Sequence, residues 1–438
     1  MTIPVPPLRA QVRVDLPPLA SCTLPNGLRV CVAHTPWSPT VELALALPTR
    51  AVAARVATVA VIGDVVVRRT DCRDGAGLAA LLGRYGAAVR GAGDGTWCDL
   101  HASLAADDLP LVLGLVAEMV RSAPPDADAV GASVRRVRAA VSPLRAQPQI
   151  AVRQLLRQRL YGPDAPALVP SDEAYRAVTA TEVAELWPVV VQPGLGCLVV
   201  AGPQDPDLVL AEVRRHFADW RAHPSPPVVG HQPTGARGVQ VVVTPTSAQA
   251  SLVLAAPAVS HDDPRHPALL LANCLFGGYF SARLSRVLRE REGLVYRVDA
   301  LLDEHVGDQW ITLSADAPGA AVPLVLASLR GQLAGLASRP PRAAEVDAAR
   351  EFMVGRSLIQ LGTQAGIVAE LRSALIRGHT PDRLSIMPAA LREVSTAEVR
   401  AVAADLFDPD RFCGVVAGAL DPRDNRGHPV GPPAPNAW

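Results

Sequence analysis

Short apolar runs with alternating polar positions predict β-strands in two separate parts of the chain. The first part contains the runs GLRVCVAHT, VELALALPT and WCDLHASLA, and TPWSPT between the first two has the composition of a turn. The second part contains VQVVVTP, QASLVLAAP, VYRVDALLD and QWITLSADA, with residues 305–308 at the turn of a hairpin. Each part therefore has the strands for a sheet of its own.

Apolar residues at helical spacing predict helices beside both sets of strands. In the first part they cover residues 77–85, 109–120 and 127–141, and in the second part HPALLLANCLF, SARLSRVLRERE, 321–337 and 342–358. Gly293 is expected to end the SARLSRVLRERE helix, as glycine often does. This mixture predicts an α+β fold, in which each mostly antiparallel sheet is covered on one face by helices.

An internal repeat relates the two parts. The segment VTATEVAELWPVVVQPGLGCLVVAGPQDP, from Val178, aligns without a gap with VSTAEVRAVAADLFDPDRFCGVVAGALDP, from Val394. In each segment a Thr or Ser is predicted to cap a short helix that carries Glu182 or Glu398. We therefore predict two homologous domains, residues 21–222 and 239–438, with a Pro- and Gly-rich linker at 223–238 and a Pro-rich extension at 1–20.

The composition narrows the functional classes. Of the 438 residues 49% are apolar, a fraction that predicts a folded chain. The 42 basic residues balance the 42 acidic ones, so there is no overall electrostatic field that would attract nucleic acid or anionic lipid. All basic residues are Arg, which excludes Schiff-base chemistry and a Walker-type loop, since both need lysine.

Cysteine usage and hydropathy bear on the compartment. The 7 cysteines are scattered without a C-x-x-C pair, as expected in a reducing compartment. The N-terminus has no signal-peptide pattern, and no uninterrupted apolar stretch approaches the ~20 residues that span a bilayer. We predict a soluble cytoplasmic protein that does not bind nucleic acid or membrane.

Three stretches resemble the M16 peptidases, the insulinase and mitochondrial-processing-peptidase-like proteins. LPNGLRV at residues 24–30 is similar to the family's first strand, and the two VVAG-x-x-DP segments are similar to the strand and turn that close each half. FGGYFSARLSRVLREREGLVY, residues 276–296, is similar to the family's GG-x-x-S-x-R-L followed by R-E-x-x-G-L-x-Y. The resemblance extends over nearly the whole chain, about residues 24–422, and implies a duplicated α+β fold of the M16 type.

The zinc site of active M16 peptidases has no counterpart here. Alignment on Thr70 and Gly86 puts the family's H-x-x-E-H window, two metal ligands and a general base, on Ala60, Val61, Ile62, Gly63 and Asp64. The helix expected to bring a third, Glu, ligand is residues 127–141, which has no acidic residue after Asp128. The family's substrate-pairing Asn-Ala is replaced by Arg90-Gly91. No metal or other cofactor is expected in this chain, and Asp64 is interpreted as a solvated or capping carboxylate.

The second-half motif is retained. In M16 members that work as two-chain proteases, the chain without the metal site contributes an Arg and a Tyr, which match Arg289 and Tyr296 here. A guanidinium and a phenol can donate hydrogen bonds to an oxyanion or to substrate carbonyls. Gly277 and Gly278 are expected to form a tight loop that opens the following helix, with Ser281 near its N-terminus, as substrate-binding residues. Alternatively, Arg289 caps its helix and Tyr296 is strand packing.

Two polar clusters remain outside these motifs. HDDPRH contains the closest histidine pair, His261 and His266, and is interpreted as a polar surface loop before a helix rather than a metal site. Asp303, Glu304 and His305 are interpreted as part of a hairpin turn.

The resemblance leads to one preferred function and one alternative. The chain is expected to be the non-catalytic subunit of a heterodimeric M16 zinc peptidase, inactive alone. Its partner is a homologous subunit that carries H-x-x-E-H and the zinc, and its substrate is a peptide, with the leader of a ribosomally made peptide as one hypothesis. The alternative is a peptide-binding or structural scaffold without a role in hydrolysis. Whether the partner is a paralogue or a second copy is open.

Overall fold

A computed structural model describes residues 16–49, 55–224, 232–243, 249–305 and 308–418. Most of the predicted N-terminal extension, the middle of the predicted linker and the last residues of the second half lie outside these ranges. The predicted division into domains therefore stays a prediction, and the fold is described from its sheets and helices.

The first sheet has 6 strands and the second has 5. They are β1 (Leu19–Thr23), β2 (Arg29–His34), β3 (Thr40–Pro48), β4 (Ala88–Gly93), β5 (Trp97–Ala105) and β6 (Cys197–Gly202), followed by β7 (Gly238–Val243), β8 (Ala250–Pro257), β9 (Arg297–His305), β10 (Asp308–Ala317) and β11 (Cys413–Gly418). The orders are β1-β2-β6-β3-β5-β4 and β7-β11-β8-β10-β9. Only the pairs β2–β6 and β7–β11 are parallel, so both sheets are mostly antiparallel and the predicted fold class is confirmed.

The described helices also divide between the two halves. The first half contains α1 (Val56–Val65), α2 (Gly75–Arg84), α3 (Leu109–Arg121), α4 (Ala127–Arg145), α5 (Pro148–Tyr161), α6 (Asp172–Arg176), α7 (Ala180–Val190) and α8 (Pro206–Phe217). The second contains α9 (His266–Asn273), α10 (Val322–Ser338), α11 (Ala343–Leu361), α12 (Gln364–Ile376), α13 (Arg383–Glu393) and α14 (Thr396–Leu406), and two π-helical segments, Cys274–Gly278 and Ser285–Arg291.

The repeat found in the sequence is a structural repeat. The matching strands β6 and β11 occupy the corresponding interior position of their sheets, each beside its parallel neighbour and an antiparallel one. The preceding helices are capped as predicted: Thr179 Oγ1 accepts a hydrogen bond from the Glu182 amide, and Ser395 Oγ from the Glu398 amide, both at 3.2 Å. The same local signals therefore start the same helix and strand in each half.

Each sheet is covered on both faces, which differs from the prediction of one covered face. One face of each sheet packs on helices of its own half. The other face receives a helix from the opposite half: α12 packs on the first sheet, and α5 packs on the second. All six residues of β6 and of β11 are buried, as expected for strands with two covered faces.

The exchanged helices are fixed by polar contacts as well as apolar ones. At the end of α5, Tyr161 Oη accepts a hydrogen bond from Trp310 Nε1 at 2.7 Å and lies 3.0 Å from Asp308 Oδ2. At the start of α12, the buried Gln364 amide donates to Thr35 Oγ1 and to the Thr40 carbonyl, both at 2.7 Å. These contacts join the two halves of the chain.

One described helical stretch meets the length and composition of a membrane span. It is Gly319–Leu336, with a mean hydropathy of 1.3. Val325, Leu329, Leu333 and Leu336 of this stretch are buried in the second core. The same apolar side chains thus cover one face of a sheet, as in a core helix.

The cysteines and the two polar clusters can now be placed. All 7 cysteines lie in described residues and are free thiols, and Cys22 and Cys72 are not buried. Asp303 to His305 belong to the end of β9 rather than to the turn. The prediction of a surface loop at HDDPRH is half wrong: residues 261–264 form turns and bends, but His266 is 3% exposed, because α9 begins there and packs into the core.

Candidate functional site

The window aligned with the zinc motif lies in the second half of α1, beside α4 and the edge strand β4. Nine of the ten residues of α1 are buried. The helix expected to bring the third metal ligand is α4, and the two helices do meet: Ser133 Oγ of α4 donates a hydrogen bond to Asp64 Oδ2 of α1 at 2.7 Å. The two segments that align with the family's metal ligands are therefore in contact in this structure.

Asp64 is not the solvated or capping carboxylate that was expected. Its side chain is 13% exposed. Arg136 donates to Asp64 Oδ2 through Nη2 at 2.7 Å and Nε at 3.0 Å, and Arg68 donates to Oδ1 at 3.0 Å. Burial by itself would raise the pKa of Asp64, but hydrogen bonds from Arg136, Ser133 and Arg68 outweigh it and lower the pKa below the usual value. Two guanidinium groups therefore supply the positive charge around this carboxylate.

The position of the catalytic base is closed by backbone. A Cβ on Gly63 would lie 2.3 Å from the carbonyl carbon of Ala92 and 2.6 Å from the amide nitrogen of Gly93. The contact is equally close when measured from the glycines of β4. A Cβ on Gly91 would lie 2.0 Å from the Gly63 oxygen, and one on Gly93 would lie 2.3 Å from the Val59 oxygen. Helix α1 thus rests on β4 through glycines, and no side chain fits where a base would stand.

No group of three or more His, Cys, Asp or Glu that could hold a metal ion occurs in the described ranges. At the aligned window Ala60 and Gly63 offer no ligand atoms, and the Asp64 oxygens already accept hydrogen bonds from three side chains. A zinc ion at this place would have to displace two arginines and would have one protein ligand, where structural and catalytic sites use three or four.

The retained second-half motif spans two π-helical segments and ends at Tyr296, one residue before β9. Gly277 lies inside the first segment rather than in a loop, and a Cβ there would lie 2.7 Å from the Ala300 Cβ. Gly278 ends this segment, and Ser281 is exposed in the turn that precedes the second. The predicted loop position of Gly277 is therefore wrong, because close packing on β9 is what requires a glycine there.

Arg289 and Tyr296 are both accessible at the end of this motif. The Arg289 side chain is 28% exposed, and its Cζ lies 3.9 Å from the centroid of the Phe280 ring. Its Nη2 also contacts Glu290 at 3.3 Å. Tyr296 is 86% exposed, and its backbone amide donates to the Asp316 carbonyl at 3.3 Å. Among the described contacts neither side chain bonds to the other, so their joint action on a substrate stays a prediction.

Phe280 is a residue that the sequence analysis missed. It is 71% exposed, and its ring face holds the Arg289 guanidinium in a cation–π contact. The signal was present in the sequence, since an aromatic residue in a turn between two helical segments packs on neither core. The contact orients the guanidinium and leaves its remaining N–H groups available.

The helix that carries Arg289 is anchored to α11 by Glu345. Arg283 Nε and Nη2 donate to the two Glu345 oxygens at 3.0 and 2.9 Å, and the Arg342 amide donates to Oε2 at 3.0 Å. Hydrogen bonding from Arg283, opposed by burial and assisted by Arg342, lowers the pKa of Glu345 to about 2.

We expect Glu345→Gln to lower the free energy of unfolding at pH 7 by on the order of 2 kcal/mol, because the depressed pKa means that the folded state favours the carboxylate. That stabilisation is present above the unfolded-state pKa and is lost as pH falls toward about 2. Urea unfolding at pH 7 and pH 3 checks this, and the difference from wild type should shrink by roughly half. Glu351→Gln, an exposed position of the same helix, is the control. An equal loss in both variants would contradict the anchor.

Known proteins with related sequences are described as an M16 domain or as zinc proteases. Residues 177–353 match the family described as the Peptidase M16 inactive domain. A protein described as an uncharacterized zinc protease of Streptomyces coelicolor is 24% identical over 340 residues, which cover 75% of this chain and 73% of the relative. Another, from Mycobacterium bovis, is 25% identical over 291 residues, which cover 64% of this chain and 66% of the relative.

Solved structures share the fold. The peptidase M16 inactive domain from Pseudomonas fluorescens superimposes with a TM-score of 0.80 at 19% identity, covering 92% of this chain and 98% of that one. A protease from Helicobacter pylori superimposes with a TM-score of 0.79 at 15% identity, covering 92% of this chain and 100% of that one. The resemblance drawn from the sequence is thereby confirmed.

Proposed function

We propose that this chain, an M16-like protein related to zinc proteases, is the non-catalytic subunit of a heterodimeric M16-type zinc peptidase. A homologous subunit with an intact H-x-x-E-H motif would hold the zinc and supply the hydrolytic water. The present chain would complete the chamber and contribute Arg289 and Tyr296 to substrate or oxyanion binding.

The closed position at Gly63 carries this proposal. A chain that had merely lost its zinc ligands would keep the space for them, whereas here α1 and β4 are in backbone contact where the base would stand. Arg68 and Arg136 also neutralise the one remaining carboxylate, Asp64. Both observations favour a first half that serves a structural role.

The second half has the opposite character. Arg289 offers guanidinium N–H groups at a partly exposed position, held by the Phe280 ring, and Tyr296 offers a phenol at a fully accessible one. In amide hydrolysis negative charge develops on the carbonyl oxygen, and both groups can donate hydrogen bonds to it or to neighbouring peptide carbonyls. A Tyr296 side chain that served only packing would not be 86% exposed.

A reconstituted pair tests the proposal. The chain is co-purified with a homologue that carries H-x-x-E-H, and peptide hydrolysis is measured for Arg289→Ala and Tyr296→Phe. Because each variant removes one donor to the developing oxyanion, we expect kcat/KM to fall at least tenfold in each. Arg291→Ala, whose side chain is 66% exposed on the same segment, should retain activity.

The outcomes separate the two hypotheses. If the pair forms and hydrolyses peptide equally well with all three variants, the proposed role of Arg289 and Tyr296 is wrong and the scaffold function remains. Stoichiometric zinc and EDTA-sensitive cleavage by the isolated chain would overturn the non-catalytic assignment itself.

A further inference from the structure

A cavity of about 190 Å³, lined by both apolar and polar side chains, lies in the second half, away from both segments of the candidate site. It is enclosed by the turn before α9, by α9 itself, and by α11, α12 and α13. Its charged and titratable lining residues are His261, His266, Glu370, Arg377, His379 and Arg383. Three of the 10 histidines of the chain therefore line one cavity.

His266 is the most informative of them. The residue is 3% exposed, and neither ring nitrogen has a hydrogen-bond partner among the described residues. An imidazole always has at least one N–H donor, and a buried donor without a partner costs about 1–3 kcal/mol. His379 Nε2 is buried and unpartnered in the same way, and its Nδ1 lies 3.5 Å from Asp262 Oδ1. His266 therefore offers one donor to the cavity, and His379 offers a second when its Nε2 carries the proton.

The rings form a loose cluster. The centroids of His261 and His266 lie 4.9 Å apart, and those of His261 and His379 lie 6.4 Å apart. Imidazoles that share one zinc ion at about 2.0–2.1 Å bring their centroids to within about 5.3 Å of each other. The larger separation therefore does not suit a common metal ion.

The charged groups that line the cavity are two guanidinium groups and one carboxylate. Arg383 donates to the His261 carbonyl at 2.7 Å and has no ion pair within the described part of the chain. Arg377 donates to the Ser373 carbonyl at 3.1 Å and lies 3.8 Å from Glu304 Oε2. Burial, assisted by Arg377 and Arg383, lowers the pKa of His261 to about 3 and that of His266 to about 4. Glu370 is the one carboxylate of the lining, and Glu304 and Asp262 contact Arg377 and His379 from outside it. Arg383 is therefore the guanidinium of the lining whose charge no described carboxylate compensates, and it lies beside neutral N–H donors.

We propose that this cavity binds a small oxyanion, a phosphate or a carboxylate, through His266, His379 and Arg383. The two imidazoles donate N–H hydrogen bonds to the ligand oxygens, and the Arg383 guanidinium supplies charge and further donors. A divalent cation would meet two guanidinium groups and could not be shared by His261 and His379, and an uncharged ligand would leave the arginine charge uncompensated.

Titration of the full chain with inorganic phosphate and with sodium acetate tests the proposal, at constant ionic strength. Calorimetry gives the affinity, and the imidazole signals in proton–nitrogen spectra report which rings are engaged. We expect saturable binding that shifts two histidine signals and is weakened about tenfold or more by Arg383→Gln. His379→Gln should weaken binding as well. Arg135→Gln, an exposed position on α4, should bind as wild type does.

The arms distinguish the sources of the oxyanion. Tight binding of phosphate with weak binding of acetate identifies a site for a phosphate group, and comparable binding of acetate identifies a site for a carboxylate such as a peptide terminus. Absence of saturable binding of either ion, or equal affinity in Arg383→Gln and wild type, would overturn the proposal. Stoichiometric Zn²⁺ binding that depends on His379 would overturn it in favour of a metal site.

Discussion

Replacing Gly63 with alanine is expected to lower the free energy of unfolding by about 3 kcal/mol or more, because the added Cβ would overlap backbone atoms of β4. The nearest atoms are the carbonyl carbon and oxygen of Ala92, at 2.3 and 2.5 Å. A clashing side chain could rotate away, but these atoms belong to β4, which is held in the sheet by its ladder to β5. The strand and the helix must therefore separate.

Urea unfolding measures this loss, and Gly331→Ala is the matched control. Gly331 lies inside α10, and a Cβ there meets nothing within 4 Å. The same chemical change should stabilise the protein by about 1 kcal/mol at that position, since alanine is the better helix former. A loss smaller than 1 kcal/mol at Gly63 would show that α1 can move away from β4.

The contact also decides whether the zinc motif can be restored. We expect the triple variant Ala60→His, Gly63→Glu, Asp64→His to bind no zinc and to unfold at lower urea concentration than Gly63→Ala, because a glutamate is larger still. Folding and stoichiometric zinc binding by the triple variant would mean that the first half retains the space for a metal centre.

Local patterns predicted most of the elements and the repeat, but not what each element packs on. The exchanged helix α12 was not among the helices predicted from the sequence, although it carries Ile367, Leu371 and Ala374 at helical spacing, and these residues are buried. That spacing predicts a helix with one apolar face. It contains no information on whether the face packs on the first or the second sheet, because both sheets offer the same kind of apolar surface.

The candidate site divides in the same way. Once the resemblance has aligned the zinc motif, the absence of its ligands is evident from residues 60–64. The same resemblance predicted the positions of Arg289 and Tyr296. The backbone contact between α1 and β4 could not be predicted, because Gly63 and Gly91 are far apart in the sequence and approach each other only in the folded chain. The burial of His266 was missed for a related reason, because its polar neighbours in the sequence do not indicate which helices cover it.

Replacing Arg372 with methionine is expected to destabilise the protein by about 3 kcal/mol, since it leaves the Asp99 carboxylate buried without its counter-ion. Arg372 lies on α12 and Asp99 on β5, and the guanidinium contacts both carboxylate oxygens, at 2.5 and 2.6 Å from Nη2. The two side chains are 18% and 20% exposed. Together with Gln364 at the other end of α12, this pair fixes the second-half helix on the first sheet.

The pair is tested by a double-mutant cycle with Asp99→Asn, which should return a coupling energy of about 2 kcal/mol or more. Arg215→Met, which breaks an exposed pair with Glu212, should cost less than about 0.5 kcal/mol.

Burial already raises the pKa of Asp99 against the opposing effect of Arg372, and loss of the arginine should raise it further. A raised pKa means that stability is lost as pH rises, so the deficit of Arg372→Met should be larger at pH 7 than at pH 4. A deficit independent of pH would show that α12 is held by its apolar face alone.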